Sequence, residues 1–180
     1  MNWYKIAFPA PADVKYVSDY YKTEGAKELA HQFKVGDEDA IGIMAEEMAQ
    51  RIPDNAILVP VPSRSGRATT TKILAEKIRD IRGGNVRVED VVFGNERPSL
   101  YDLKKSKAPI PKDLFGYSIS EVPQGNVYLV DNVYNTGATA KEIQKLIPHA
   151  QVLVYAYSEP QVASSHNWYK VALSEGIHTL

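Results

Sequence analysis

Three short apolar runs constrain this chain more than any other feature. They are residues 56–61 (Ala-Ile-Leu-Val-Pro-Val), 127–130 (Val-Tyr-Leu-Val) and 151–157 (Gln-Val-Leu-Val-Tyr-Ala-Tyr). A strand with one wet face alternates apolar and polar residues. A run that is apolar at nearly every position is a strand covered on both faces, as in a parallel sheet sandwiched by helices. Between these runs the apolar spacing becomes helical. Ile41, Met44, Met48 and Ile52 share one helix face, with Asp37 or Asp39 as cap and Pro53 and Asp54 as the stop. Leu74, Ile78 and Ile81 mark a second helix, ended by Gly83 and Gly84. A third spans 138–147 and stops at Pro148.

Further strands are expected at 86–93 and, shorter, at 116–120. Residues 13–21 suit a short helix, and 27–35 suit either a strand or a continuing helix. The tail from 158 to 180 shows no readable pattern. Strand, helix, strand, loop, strand, helix, strand is the order of an α/β fold: one Rossmann-like domain with a mainly parallel central sheet. With 180 residues the chain is long enough for one such domain and a sizeable core. The tetrapeptide Asn-Trp-Tyr-Lys occurs at 2–5 and again at 167–170, too short a match to argue a repeat.

Composition closes several routes. There is no cysteine, which excludes disulfides, zinc–thiolate sites and thiol nucleophiles. No apolar run approaches the roughly 20 residues that span a bilayer. Residues 1–5 lack the pattern of a secretory signal, so the cytoplasm is the expected location. A net charge of −1 argues against general nucleic-acid binding. The charge is uneven, however. Residues 60–112 hold 12 Lys and Arg against 6 Asp and Glu, whereas residues 1–55 hold 6 against 10. The middle of the chain therefore either faces an anion or is simply a solvated basic surface.

The chemistry concentrates after the second apolar run. Asp131 and Asn132 follow it, then Val133 and Tyr134, then a turn of Asn135, Thr136, Gly137, Ala138 and Thr139 that leads into a helix. In open α/β sheets ligands collect at the carboxyl ends of strands. Turn N–H groups at a helix start suit a phosphate, glycine permits close approach, and the two threonines add hydroxyls. Asp131 and Asn132 suit sugar hydroxyls, so a ribose 5-phosphate fits the set. The same residues also suit a plain turn with Thr136 as helix cap.

This stretch resembles the phosphoribosyl-pyrophosphate (PRPP) motif of the type I phosphoribosyltransferases: four hydrophobic residues, two acids, two hydrophobic residues and a Thr-Gly-x-Thr turn. The resemblance implies that Asp131 and Asn132 grip the ribose hydroxyls and that Asn135, Thr136, Gly137, Ala138 and Thr139 hold the 5-phosphate. Asn132 departs from the pattern, because an amide carries no charge to support a nearby metal or a developing cation. Asn135 stands where some relatives place a carboxylate base. A second segment, Val-Pro-Val-Pro at 59–62 followed by Ser63, Arg64, Ser65, Gly66 and Arg67, is similar to the family's strand and pyrophosphate loop, most of all in the competence-associated ComF-type members. The resemblance implies a cis peptide at Ser63–Arg64 and a pyrophosphate held by Arg64 and Arg67; a solvated Arg-rich turn is the plainer alternative. The basic stretch 94–115 lies where the family has its flexible catalytic loop. Lys104, Lys105 and Lys107, with Arg97 behind them, are the candidates to close over the pyrophosphate; a mobile basic surface loop is equally open for each lysine.

The implied function is transfer of the 5-phosphoribosyl group of PRPP to a nitrogenous base, through an oxocarbenium-like transition state, with release of pyrophosphate. Mg²⁺ would enter with PRPP, and Asp131 would meet it directly or through the ligand. The implied domain has a core at about 37–157 and a hood from about 1–36 and 158–180. The family's habit implies a homodimer. Tyr157, His166 and Trp168 are candidates to stack on a base, with packing the simpler role for each. His31, His149 and His178 show no ligand spacing and read as structural. Two further readings are a non-catalytic PRPP-binding regulator and a ComF-like protein acting around DNA uptake, the latter without that group's cysteine-based zinc module.

Overall fold

The computed structural model describes residues 10–107 and 109–158. In chain order the elements are β1 (Val14–Asp19), α1 (Ala26–Lys34), α2 (Glu38–Ala49), β2 (Ala56–Pro60), α3 (Thr70–Arg82), β3 (Arg87–Val88), β4 (Val92–Phe93), α4 (Leu100–Ser106), β5 (Ser118–Ile119), β6 (Asn126–Tyr134), α5 (Ala138–Gln144) and β7 (Gln151–Tyr157). The fold is α/β. A five-stranded parallel sheet runs β1-β7-β6-β2-β3, and β4 with β5 forms a separate antiparallel ribbon.

The apolar runs are buried on both faces, as their composition requires. Along β2, Leu58 joins a core with α2 and α3, while Ile57 and Val59 join a second core with α5. Tyr128 and Val130 of β6 face the first core; Val127 and Leu129 face the second. Asp37 caps α2, its carboxylate accepting from the Ala40 N–H at 2.8 Å. That helix buries Ile41, Met44 and Met48, as the spacing predicts, but ends at Ala49, before Ile52.

Several expectations change. Where a helix was expected at 13–21, residues 14–19 form β1 instead. Val14, Tyr16 and Val17 are good strand formers, and β7 offers an open edge, with Val14 paired to Val152. Residues 27–35 resolve as helix α1. Ile81 is 50% exposed rather than on the buried face of α3. At that level Arg82 holds the helix end instead, donating to the carbonyl of Ala49 at 2.6 Å and to that of Ile52. The strand expected at 86–93 splits in two. Glu89 N–H still bonds Leu58 at 2.9 Å, Asp90 pairs with Lys72 at 3.3 Å, and Val92 then turns away to pair with Ile119. The loop expected at 94–115 contains α4, capped by Ser99, whose hydroxyl accepts from Asp102 N–H at 3.0 Å. The third predicted helix stops at Gln144. No helix among the described residues is long and apolar enough to cross a membrane.

Candidate functional site

The sheet makes its own crevice. β2 ends at Pro60, opposite Val130, and the Val61 N–H closes the pairing on the Val130 carbonyl at 3.0 Å. β6 continues for four residues beyond Val130 because β7 still pairs with it, Asp131 against Val154 and Tyr134 against Tyr157. From Asp131 onward β6 therefore has no strand on its β2 side. The helices that follow these two strands, α3 and α5, pack on opposite faces. This is the topological switch point of the sheet, where open α/β folds place ligands. Asp131 and Asn132 thus lie inside an extended strand, not past its end as the sequence suggested, but they stand at the step where the neighbouring strand stops.

A cavity of about 220 Å³ opens there. Asp131, Val133 and the unbroken stretch from Tyr134 to Ala140 form one wall; Val152 and Val154 of β7 and Val61 complete the base; Leu100, Tyr101 and Lys104 of α4 border it. All five predicted turn residues, Asn135, Thr136, Gly137, Ala138 and Thr139, line this space, as do Asp131 and Lys104. Asn132, Lys105 and Lys107 do not.

Gly137 is required in the turn. Its φ is +80°, and a Cβ there would come within 2.2 Å of the Tyr134 hydroxyl oxygen. The Thr136 hydroxyl accepts from the Ala138 N–H at 3.3 Å, so it does serve as a local turn bond. Lys141 reaches back to the Thr136 carbonyl at 3.5 Å and brings a cation to the turn. Because α5 has only seven residues, its dipole is small, and turn N–H groups and side chains carry any anion affinity.

Asp131 is the perturbed acid of the site. It is half-buried, and burial pushes its carboxyl up to about 6 from an ordinary 3.8. The Asn132 N–H, donating at 2.8 Å, and the charges of Lys34 and Arg97 act in the opposite direction. Lys34 closes α1 and Arg97 precedes α4, so two cations from distant segments favour the charged form of the one acid through space.

The loop of Ser63, Arg64, Ser65, Gly66 and Arg67 folds on itself outside the cavity lining. Ser63 N–H bonds the Arg67 carbonyl at 3.0 Å, and Gly66 N–H bonds that of Ser63 at 2.9 Å. The Ser65 and Arg67 N–H groups reach serine hydroxyls at 3.4 Å. No cis peptide bond occurs among the described residues, so Ser63–Arg64 is trans, contrary to what the resemblance implies. The N–H groups of Ser63, Ser65, Gly66 and Arg67 thus find acceptors within the turn itself. The loop is instead tied to the β4 exit, with Gly94 N–H on Gly66 and Arg97 N–H on Arg64, both at 2.9 Å. Arg64 also lies 4.0 Å from Asp102 of α4, linking this loop to the helix that borders the cavity.

Tyr157 is packed rather than free to stack on a ligand: it is buried, with Tyr16 at 5.3 Å and Tyr134 at 5.9 Å between ring centroids. The His149 ring bonds the Pro123 carbonyl at 2.7 Å, a structural role. His166, Trp168 and His178 lie outside the described residues. Sequence reasoning missed Lys34, Tyr117 and Lys141, none of which lies in a recognisable motif. No group of three or more His, Cys, Asp or Glu that could hold a metal occurs among the described residues. No protein-family model matches this chain, and no curated protein matches it.

Proposed function

We propose that this chain is a phosphoribosyltransferase of the type I architecture, transferring the 5-phosphoribosyl group of PRPP to a nitrogenous base. The observation that carries the reading is the crevice at the β2–β6 step, where Asp131 and the whole Asn135–Thr139 turn line one small cavity. A volume of about 220 Å³ is below that of pockets for drug-sized ligands, and it suits a sugar phosphate better than a whole nucleotide. Asp131 accepts the ribose hydroxyls and the turn takes the 5-phosphate. The pyrophosphate lies toward Lys104 and the Arg64–Asp102 link, outside the lined space. Among the described residues Asp131 is the one carboxylate in the lining. That donor set fits a Mg²⁺ that arrives chelated by PRPP, as part of the substrate, and does not fit an ion held by protein ligands alone.

A second reading has its own support. Asn132 is uncharged and stands outside the cavity lining, which favours a module that binds PRPP without turning it over. Incubation with Mg²⁺, PRPP and a mixed pool of nucleobases, followed by mass spectrometry, separates the two. A new nucleotide establishes the transferase and names its base. Intact PRPP with no product rejects the transferase in favour of the binding module.

A further inference from the structure

Helix α4 carries an aromatic ring to the mouth of this cavity that the binding of a sugar phosphate leaves unused. The helix starts on its Ser99 cap, and Arg64 of the neighbouring loop stands 4.0 Å from its Asp102. Leu100, Tyr101 and Lys104 border the cavity. Positions i, i+1 and i+4 fall on one side of a helix, so α4 turns a single face to the site. Tyr101 on that face is 73% exposed, and α4 buries none of its residues. The Tyr101 side chain has no hydrogen-bond or ring partner among the described residues. A tyrosine in this position offers a flat apolar face beside a ligand while its hydroxyl stays in water.

The size of the cavity gives that ring a partner. About 220 Å³ accommodates a ribose and its 5-phosphate between Asp131 and the 135–139 turn, and leaves a base on the same sugar no room inside the lining. The base must extend past the lining residues, and α4 forms part of that border. The other aromatic side chain of the lining, Tyr134, is buried and packed on Tyr157 at 5.9 Å between centroids, with its hydroxyl lodged against Gly137. Tyr101 is therefore the one aromatic residue of the lining with a ring face open to a flat partner. Stacking on such a face accepts any base, because every base has a π-face.

We propose that Tyr101 is the base-binding residue of this site, its ring stacking on the planar base of a nucleoside 5′-monophosphate whose sugar phosphate is held by Asp131 and the turn. The assignment rests on the phosphoribosyl reading and narrows it: the acceptor is an aromatic heterocycle rather than ammonia or an alkyl amine. Calorimetric affinities for ribose 5-phosphate and for AMP, GMP, CMP and UMP test it, in the full-length parent, Tyr101→Ala and Tyr101→Phe. The side chain is exposed and α4 buries none of its residues, so both variants should fold as the parent does. At least one nucleotide should bind the parent about tenfold more tightly than ribose 5-phosphate, the gain expected from stacking one base. Tyr101→Ala should erase that advantage, and Tyr101→Phe should keep it. A parent that binds ribose 5-phosphate as tightly as any of the four nucleotides would overturn the proposal. So would an advantage that survives Tyr101→Ala, or one lost equally in Tyr101→Phe, which would assign it to the hydroxyl. Each of these leaves the phosphoribosyl reading standing. A parent that binds neither ribose 5-phosphate nor any nucleotide would remove that reading, and this assignment with it.

Discussion

Replacing Asp131 by Asn should make the folded protein more stable at neutral pH while removing its ligand. Burial raises this carboxyl from 3.8 to about 6. At about 1.4 kcal/mol for each tenfold change in proton affinity, ionising Asp131 in the folded state costs up to about 3 kcal/mol relative to the unfolded chain. Because the residue is half-buried and partly solvated, about 1–3 kcal/mol is the expected range. Asn is close in shape and keeps an oxygen to accept the Asn132 N–H, but carries no charge to desolvate. Between pH 3.8 and about 6 the folded parent holds the proton more tightly than the unfolded chain does. The parent therefore gains stability as pH falls through 6, and that gain is complete below 3.8. The variant has no such dependence. Urea denaturation at steps from pH 8 to pH 4 should show Asp131→Asn ahead by about 1–3 kcal/mol at pH 8, with the gap shrinking toward pH 4. A variant less stable at pH 8, or a gap that does not change with pH, would refute the reasoning. A buried acid kept at a cost to stability is what a working site would retain.

Gly66→Ala should destabilise the fold by at least about 1–3 kcal/mol, since φ is +84° and the new methyl would lie 2.2 Å from the Gly94 carbonyl oxygen; an unchanged thermal midpoint would contradict this. Of Lys104, Lys105 and Lys107 only Lys104 borders the cavity, so Lys104→Met should weaken Mg²⁺–PRPP binding about fivefold, roughly 1 kcal/mol, while Lys105→Met and Lys107→Met leave it unchanged. Equal effects from all three in a calorimetric titration would instead indicate a diffuse basic field.

What the sequence revealed depended on how local the signal was. The strands β2, β6 and β7 were legible because burial on both faces writes itself into consecutive residues. The turn at Gly137 was legible because a positive φ beside the Tyr134 ring demands glycine in a short span. The edge strand β1 was misread as helix because its pattern became meaningful only once β7 was its partner. The split of residues 86–93 followed from where Val92 finds Ile119, 27 positions along the chain. Lys34 and Arg97 influence Asp131 electrostatically from segments far from it in sequence, and no spacing rule links them. Tyr117 carried no motif; the stack with Phe115 that fixes its ring follows only from the fold.

The central claim is that Asp131 and the 135–139 turn bind a phosphorylated ribose. Its most direct test is a calorimetric titration of Mg²⁺–PRPP into the parent protein and into Asp131→Ala, with circular dichroism confirming that both are folded. The account predicts saturable binding to the parent and none to the variant. Equal affinity in the two, or no binding to the folded parent, would contradict it.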